Sequence, residues 1–318
     1  MHKKDRVRAA LQMQPVDRVP AGFWYHFPAE LHTGTPAVRA HLDFYRNTDV
    51  DFLKVMNEHL YRVDFDIAQP ADWRGLRAAP VSAPFYQGLL DELRQVLDAI
   101  GDEVFVMATV HGVFASAFHA THSPEATFAQ GNPVVEHLRQ NAEPVLGALD
   151  AIADSLADFA GACLDAGAHG VYYAALGAEQ YRFTEEEFLT WIKPYDLRVL
   201  QAIEGRGELN VLHICKDQVR LDLYADYPAH AVNWAVSEQN PSLIEGRALF
   251  NRPILGGVDY RGPIVEGPSA AIEAEVHATI REFGTQGLLL GADCTLPTHT
   301  PYEHIRTAVA ATATAATA

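Results

Sequence analysis

Three side chains in this sequence could hold a metal ion together. The run VLHIC places His213 two residues before Cys215, and the run LLLGADC carries Cys294. On an extended chain, residues two apart point to the same side, so the imidazole and the first thiol share a face. One imidazole and two thiolates suit zinc, and three ligands stop one short of the four usual in a structural site. An open fourth position is what catalysis at such an ion requires. The blander reading is that cysteine is often a small buried hydrophobe. Cys163, inside a long helical pattern, reads that way. Because 79 positions separate Cys215 from Cys294, the three donors meet only if the scaffold brings them to one place.

The scaffold is written in apolar runs. Eight of them could be buried parallel strands, at residues 19–24, 52–56, 104–110, 170–174, 210–214, 231–236, 254–258 and 287–292. Helical patterns lie between them, at residues 89–100, 136–164, 184–203 and 269–283. The third of these opens with a Thr cap followed three residues later by glutamate. Strand alternating with helix, without hairpin dipeptides, argues for a parallel sheet with crossover helices. Eight such strands predict an α/β chain closed into a (β/α)8 TIM barrel, a single domain over residues 1–318. A doubly wound sheet is the alternative, but no GxGxxG or P-loop supports it. Insertions after the second and third strands, at residues 60–86 and 111–132, fall where barrel enzymes build lids and pockets. The Ala/Thr-rich tail from Ala308 reads as a fraying helix end or disorder.

A closed barrel gathers its strand ends at one rim. There His213, Cys215 and Cys294 could converge, with His26, Glu58, His59, His111, Tyr172, Tyr173, Asn233, Trp234, Asp259 and Asp293 around them. Glu58 and Asp259 are candidates for a fourth ligand, an orienting partner of His213, or a base. Rim aromatics such as Tyr172 more often line a pocket than react.

Composition narrows the partners. A formal net charge of −17 over 318 residues disfavours nucleic-acid backbones and anionic membranes. Three cysteines make no disulfide framework and suit a reducing compartment. The basic first segment has no apolar core followed by a small-residue cleavage site, as a signal peptide would, and no apolar run is long enough to span a membrane, so the expectation is a cytoplasmic protein.

Several segments resemble one family. KDRVRAALQMQPVDRVP, GAHGVYYAALGAEQYRFTEEEFLTWIKPY, VLHICKD, ILGGVDYRGPIVEGP and GLLLGADCTLPTHTPYEHIRTAV are similar to segments of the uroporphyrinogen decarboxylase superfamily, from the first helix to the last. The resemblance implies a (β/α)8 barrel. Decarboxylases proper carry an arginine-rich RQAGRY-type segment after the first strand and an aspartate after the second. This chain reads FWYHFPAELHTG and VMNEHLY there, so both features are missing. It resembles more the zinc-dependent corrinoid methyltransferases, of the methylcobalamin:coenzyme M type. Their His-x-Cys and distant Cys ligands correspond to His213, Cys215 and Cys294. An acidic residue in a PFxxTVE-like segment of that branch finds only Glu58 as its counterpart.

The resemblance implies a Zn2+ enzyme that moves a methyl group from a methylated corrinoid, carried by a partner protein, or from a related donor such as a methyl pterin, to a small thiol, and a homodimer. Glu58, Tyr172 and Asp259 are the candidate catalytic residues beside the metal ligands. Two other readings stand beside it. One is a metal-free lyase acting on a tetrapyrrole, and the other is a barrel that binds a corrinoid or partner without chemistry.

Overall fold

Strands buried on both faces are largely apolar, and seven of the expected runs form strands. The computed structural model describes residues 1–129 and 131–315. It contains β1 (Phe52–Val55), β2 (Phe105–His111), β3 (Gly170–Ala175), β4 (Val211–Ile214), β5 (Ala231–Trp234), β6 (Ile254–Val258) and β7 (Leu288–Ala292). All pair in parallel, in strict sequence order, as one sheet. The curled sheet with its helices is consistent with a TIM-like fold. No helix among the described residues is long and apolar enough to cross a membrane.

The first of the eight expected strands is a correction. Residues 19–24 form no strand, only an isolated parallel bridge between Ala21 and Leu290; Tyr25 bridges Leu296 just beyond. The segment still reaches both edges of the sheet. The Gly22 N–H donates to Leu290 O (2.9 Å) and Leu290 N–H to Pro20 O (2.8 Å). On the other side Asp51 N–H donates to Ala21 O (2.7 Å). Pro20 has no N–H to give, which limits a regular ladder. Gly22 is also required where it stands, because an added Cβ would lie 2.1 Å from the Phe52 ring.

Prolines correct two helices. The expected helix at 136–164 is two, Pro133–Gln140 and Ala142–Asp165, with Asn141 extended between them. Pro144 lacks an N–H, and its ring would clash with the carbonyl four residues earlier, at Gln140. In the same way Pro194 divides residues 184–203 into Glu185–Trp191 and Lys193–Ala202. The capping box of Thr184 and Glu187 is present. The helix Ser269–Phe283 matches its pattern, and the one expected at 89–100 starts earlier, as Pro84–Ile100.

Of the two readings of the tail, the helix end holds as far as Ala315. Tyr302–Ala315 is helical, and it buries Ala308, Val309, Ala311 and Thr312. The alanines form an apolar stripe against neighbouring helices, which disorder would have left in water. Residues 316–318 lie outside the described residues. Of the two expected elaborations, 60–86 carries the short turn Pro70–Gly75, and 111–132 carries the helix Val113–Ala120 and the turn Glu125–Thr127.

Buried charge anchors the irregular first segment. The Asp51 side chain is fully buried at the start of β1. It accepts from Arg6 Nη1 (2.7 Å), Arg18 Nη1 and Nη2 (2.7 and 2.9 Å) and the Ala21 amide (2.8 Å). Arg18 Nη1 also donates to Thr312 Oγ1 (3.2 Å), so one carboxylate joins the first helix, β1 and the last helix. Removing it leaves two guanidinium groups largely out of water without that partner. Asp51→Ala should therefore lose about 3–5 kcal/mol of stability, read from the urea midpoint at unchanged m-value.

Candidate metal centre

Strand register builds the site. In a parallel sheet, paired residues point to the same side. His111 pairs with Ala174, Ala174 with His213, and His213 with Asn233. One row across β2 to β5 therefore carries two imidazoles and an amide on one face. Cys215 extends β4 by one residue, its N–H donating to Ala175 O (3.2 Å). Past it the chain turns through Lys216 at φ 80° and Gln218 at φ 51°, conformations that cost non-glycine residues energy. Asn240 holds that turn, donating to Lys216 O and Ala235 O and accepting from the Val219 amide. Cys294 follows β7, where Asp293 N–H donates to Val258 O. Buried Asp293 accepts from the amides of Ser237 (2.9 Å) and Tyr260 (3.0 Å), which fixes the backbone beside Cys294.

The three donors meet. His213, Cys215 and Cys294 place their ligand atoms within 4.8 Å of one another, the only such group with metal-ligating donors among the described residues. Cys215 Sγ is 4.0 Å from Cys294 Sγ, and Cys294 Sγ is 3.9 Å from His213 Nε2. A tetrahedral zinc with Zn–S near 2.3 Å separates its sulfurs by about 3.8 Å, close to the separation of the two sulfurs here. The sulfurs stand nearly twice as far apart as the roughly 2.05 Å of a disulfide.

Hydrogen bonding settles which imidazole nitrogen faces the sulfurs. Asn233 Nδ2 donates to Leu255 O (2.8 Å) and Ala292 O (3.2 Å), so the other end of the amide is the oxygen. Asn233 Oδ1 accepts from the Tyr172 hydroxyl (3.0 Å) and lies 2.6 Å from His213 Nδ1. An amide oxygen cannot donate, so Nδ1 carries the imidazole proton and Nε2 keeps its lone pair toward the cysteines. Such a partner is what orients a metal-binding histidine. Without a metal the two thiols share charge unequally. The Cys294 S–H holds Cys215 well below the ordinary thiol range, while that contact and burial push Cys294 well above it. The donor set fits zinc.

The donors open into a cavity of about 390 Å3 whose walls include His26, Lys54, Glu58, His111, His119 and Tyr172. Glu58 Oε1 meets His26 Nδ1 at 2.6 Å. Burial works to raise the Glu58 carboxyl, but the His26 contact and nearby positive charge outweigh it, so it sits below its usual value. Tyr172 is buried and stacks on His213 with centroids 5.3 Å apart. Asp259 is not part of the wall; its Oδ1 accepts from the Arg261 amide (2.9 Å). His59 turns to Glu92 (2.8 Å), Tyr173 to Asp196, and Trp234 to Pro241 O (2.8 Å), all away from the cavity.

Several wall residues escape a reading of the sequence, among them Lys54, His119 and Lys216. A lone lysine inside the apolar run DFLKVM was the available signal for the first. Both His111 and His119 are kept neutral at pH 7, His111 pushed well down and His119 to about 4, in each case first by burial. If the Asn233 amide sets the tautomer, Asn233→Ala should weaken zinc binding by about 10–100-fold, measured by competition against a chromophoric chelator, with the fold retained.

No curated protein sequence matches the chain at a significant level. Among solved structures the chain is similar to a methyltransferase from Methanosarcina mazei, at 18% identity and a TM-score of 0.74 over 98% of each chain. It is also similar to a B12-independent methionine synthase from a Shewanella species, at 10% identity and a TM-score of 0.60. That alignment covers 94% of this chain and 98% of the other. At such identities the likeness is one of fold. The model of the uroporphyrinogen decarboxylase (URO-D) family matches residues 61–315, which is most of the chain. The chain thus belongs to the uroporphyrinogen decarboxylase family.

Proposed function

We propose that the chain is a zinc-dependent methyltransferase that transfers a methyl group from a methylated corrinoid to a small thiol. The observation that carries this reading is the meeting of His213 Nε2 and two cysteine sulfurs at the wall of a solvent-connected cavity. The fold shared with a methyltransferase over 98% of both chains accords with it.

When bound, zinc would lower the pKa of an incoming thiol and keep its sulfur nucleophilic at neutral pH. The chain's own residues prepare that chemistry. Two thiolates and a neutral imidazole supply two negative charges, which match a divalent cation and leave the set neutral. Asn233, held by Tyr172 and two carbonyls, keeps His213 in the tautomer that can ligate. Apolar wall residues such as Met56, Phe128 and Leu176 exclude water from the reacting sulfur. Glu58 lines the cavity while its partner His26 is half-exposed, so the pair offers the thiol proton a route to solvent. In the transfer, sulfur attacks the methyl carbon and the C–S bond forms. The bond to the donor breaks, and both of its electrons stay on the corrinoid. Asp259, outside the cavity, has no part in this scheme.

The reaction for which the family is named finds less support. A substrate with several carboxylates calls for clustered arginines, and among the described residues no arginine lines the cavity.

Protein purified without chelator should hold about one zinc per chain and methylate a small thiol from methylcobalamin. Cys215→Ser should lose both the metal and the transfer. Full transfer by zinc-free protein would overturn the reading, as would porphyrinogen decarboxylation that survives Cys294→Ser.

A further inference from the structure

Lys54 is a buried charge of the cavity without a hydrogen-bonded partner. It lies on β1, is only 5% exposed, and lines the same cavity as His213, Cys215 and Cys294. Its ammonium makes no hydrogen bond or ion pair among the described residues. It rests instead on aromatic faces, 4.1 Å from the Tyr172 ring centroid and 5.1 Å from that of Trp24. A buried charge normally has a hydrogen-bonded partner of opposite sign. The nearest carboxylate on the cavity wall, Glu58, is already engaged by His26.

The titratable and charged groups that face Lys54 come from every element around it. They are His41 from the helix Gly34–Thr48, Glu58 and His26 near the mouth, His111 on β2, Tyr172 on β3, and the two cysteines, with His119, Glu125, His213 and Lys216 on the rest of the cavity wall. Burial pushes the ammonium down to about 7, against the pull of Cys294, Glu58 and Cys215. Charge counting then assigns it a partner. A divalent cation would cancel the two cysteine thiolates and leave Lys54 unmatched. A third sulfur entering as thiolate would bring one negative charge into the same low-dielectric space, where Lys54 is the buried cation; Lys216, also on the wall, is only partly buried and rests over the Phe128 ring.

We propose, on the basis of the metal-site reading, that Lys54 is a positioning residue whose ammonium is the counter-cation of the acceptor thiolate. It stabilises the anion left on sulfur when the S–H proton departs. Tyr172 couples the two halves of the site, since its ring carries Lys54 and its hydroxyl holds Asn233 behind His213. The role concerns the sulfur atom itself, not any group elsewhere on the acceptor.

The test uses full-length protein loaded with cobalt(II) and the neutral thiol 2-mercaptoethanol, so that no anionic tail contributes. Sulfur-to-cobalt charge-transfer absorbance reports thiolate binding as a function of pH. Lys54→Met should bind cobalt like the unaltered protein. Its pH midpoint for thiolate binding should rise by about one unit, with binding at pH 7 weakened about tenfold. Lys54→Arg should restore most of the effect, and Lys54→Gln replaces Lys54→Met if the latter does not fold. An unchanged midpoint in the neutral variants would overturn the proposal and leave the metal site standing. Loss of cobalt uptake in the neutral variants would also overturn it, because Lys54 would then serve the resident ligands. Unaltered protein that takes up neither cobalt nor zinc would remove the metal-site reading itself.

Discussion

The amide of Asn233 is the group on which the rest of the site depends. Its NH2 is committed to two carbonyls, Leu255 O on β6 and Ala292 O on β7, so the side chain cannot flip without losing both bonds. That commitment turns Oδ1 toward β4 and β3, where it meets His213 and Tyr172. One small side chain thus ties five strands together. Its position follows from strict register, because a one-residue slip between β4 and β5 would send the amide to the opposite face. The seven parallel strands hold that register through the backbone, and the side chains inherit it.

Charge sets a second constraint. Buried ions are costly unless paired, and the chain meets this cost in two different ways. At the closed end Asp51 is saturated by two arginines and a backbone amide. That cluster completes itself within the protein and fastens the irregular segment that stands where an eighth strand was expected. At the open end Lys54 rests on aromatic faces, and the negative charges within its reach are the cysteine pair and Glu58, which His26 already engages. A satisfied cluster gives stability, whereas an unsatisfied cation beside a cavity gives affinity for something that enters it.

Much of this was legible in the sequence, and the reasons differ by element. The buried strands β1 to β7 are continuous apolar runs, and such runs declare themselves. His213, Cys215 and Cys294 could be placed because each sits at the end of such a run and strand ends share a rim. Helix boundaries were less legible where Pro144 and Pro194 interrupt an apolar period that otherwise continues. The segment at 19–24 looks like a strand by composition, but Pro20 and the close approach of Phe52 to Gly22 restrict it to bridges. Glu58 and Asp259 were equivalent as carboxylates after strands. Only the fold separates them, by turning one into the cavity and the other onto its own loop.

Lys54 was hidden for the opposite reason. Within DFLKVM it looks like an exposed residue on a half-buried strand, since lysine is almost never fully buried without a partner. The parity of β1 removes that option. Lys54 pairs with Met107, and its alternates Leu53 and Val55 are buried too, so the strand has no wet face. A lysine on such a strand either destabilises the fold or faces an internal space with charge of its own. The fold supplies that space on the side of His213 and the cysteines, and the same parity that seats the ligands brings the cation to them.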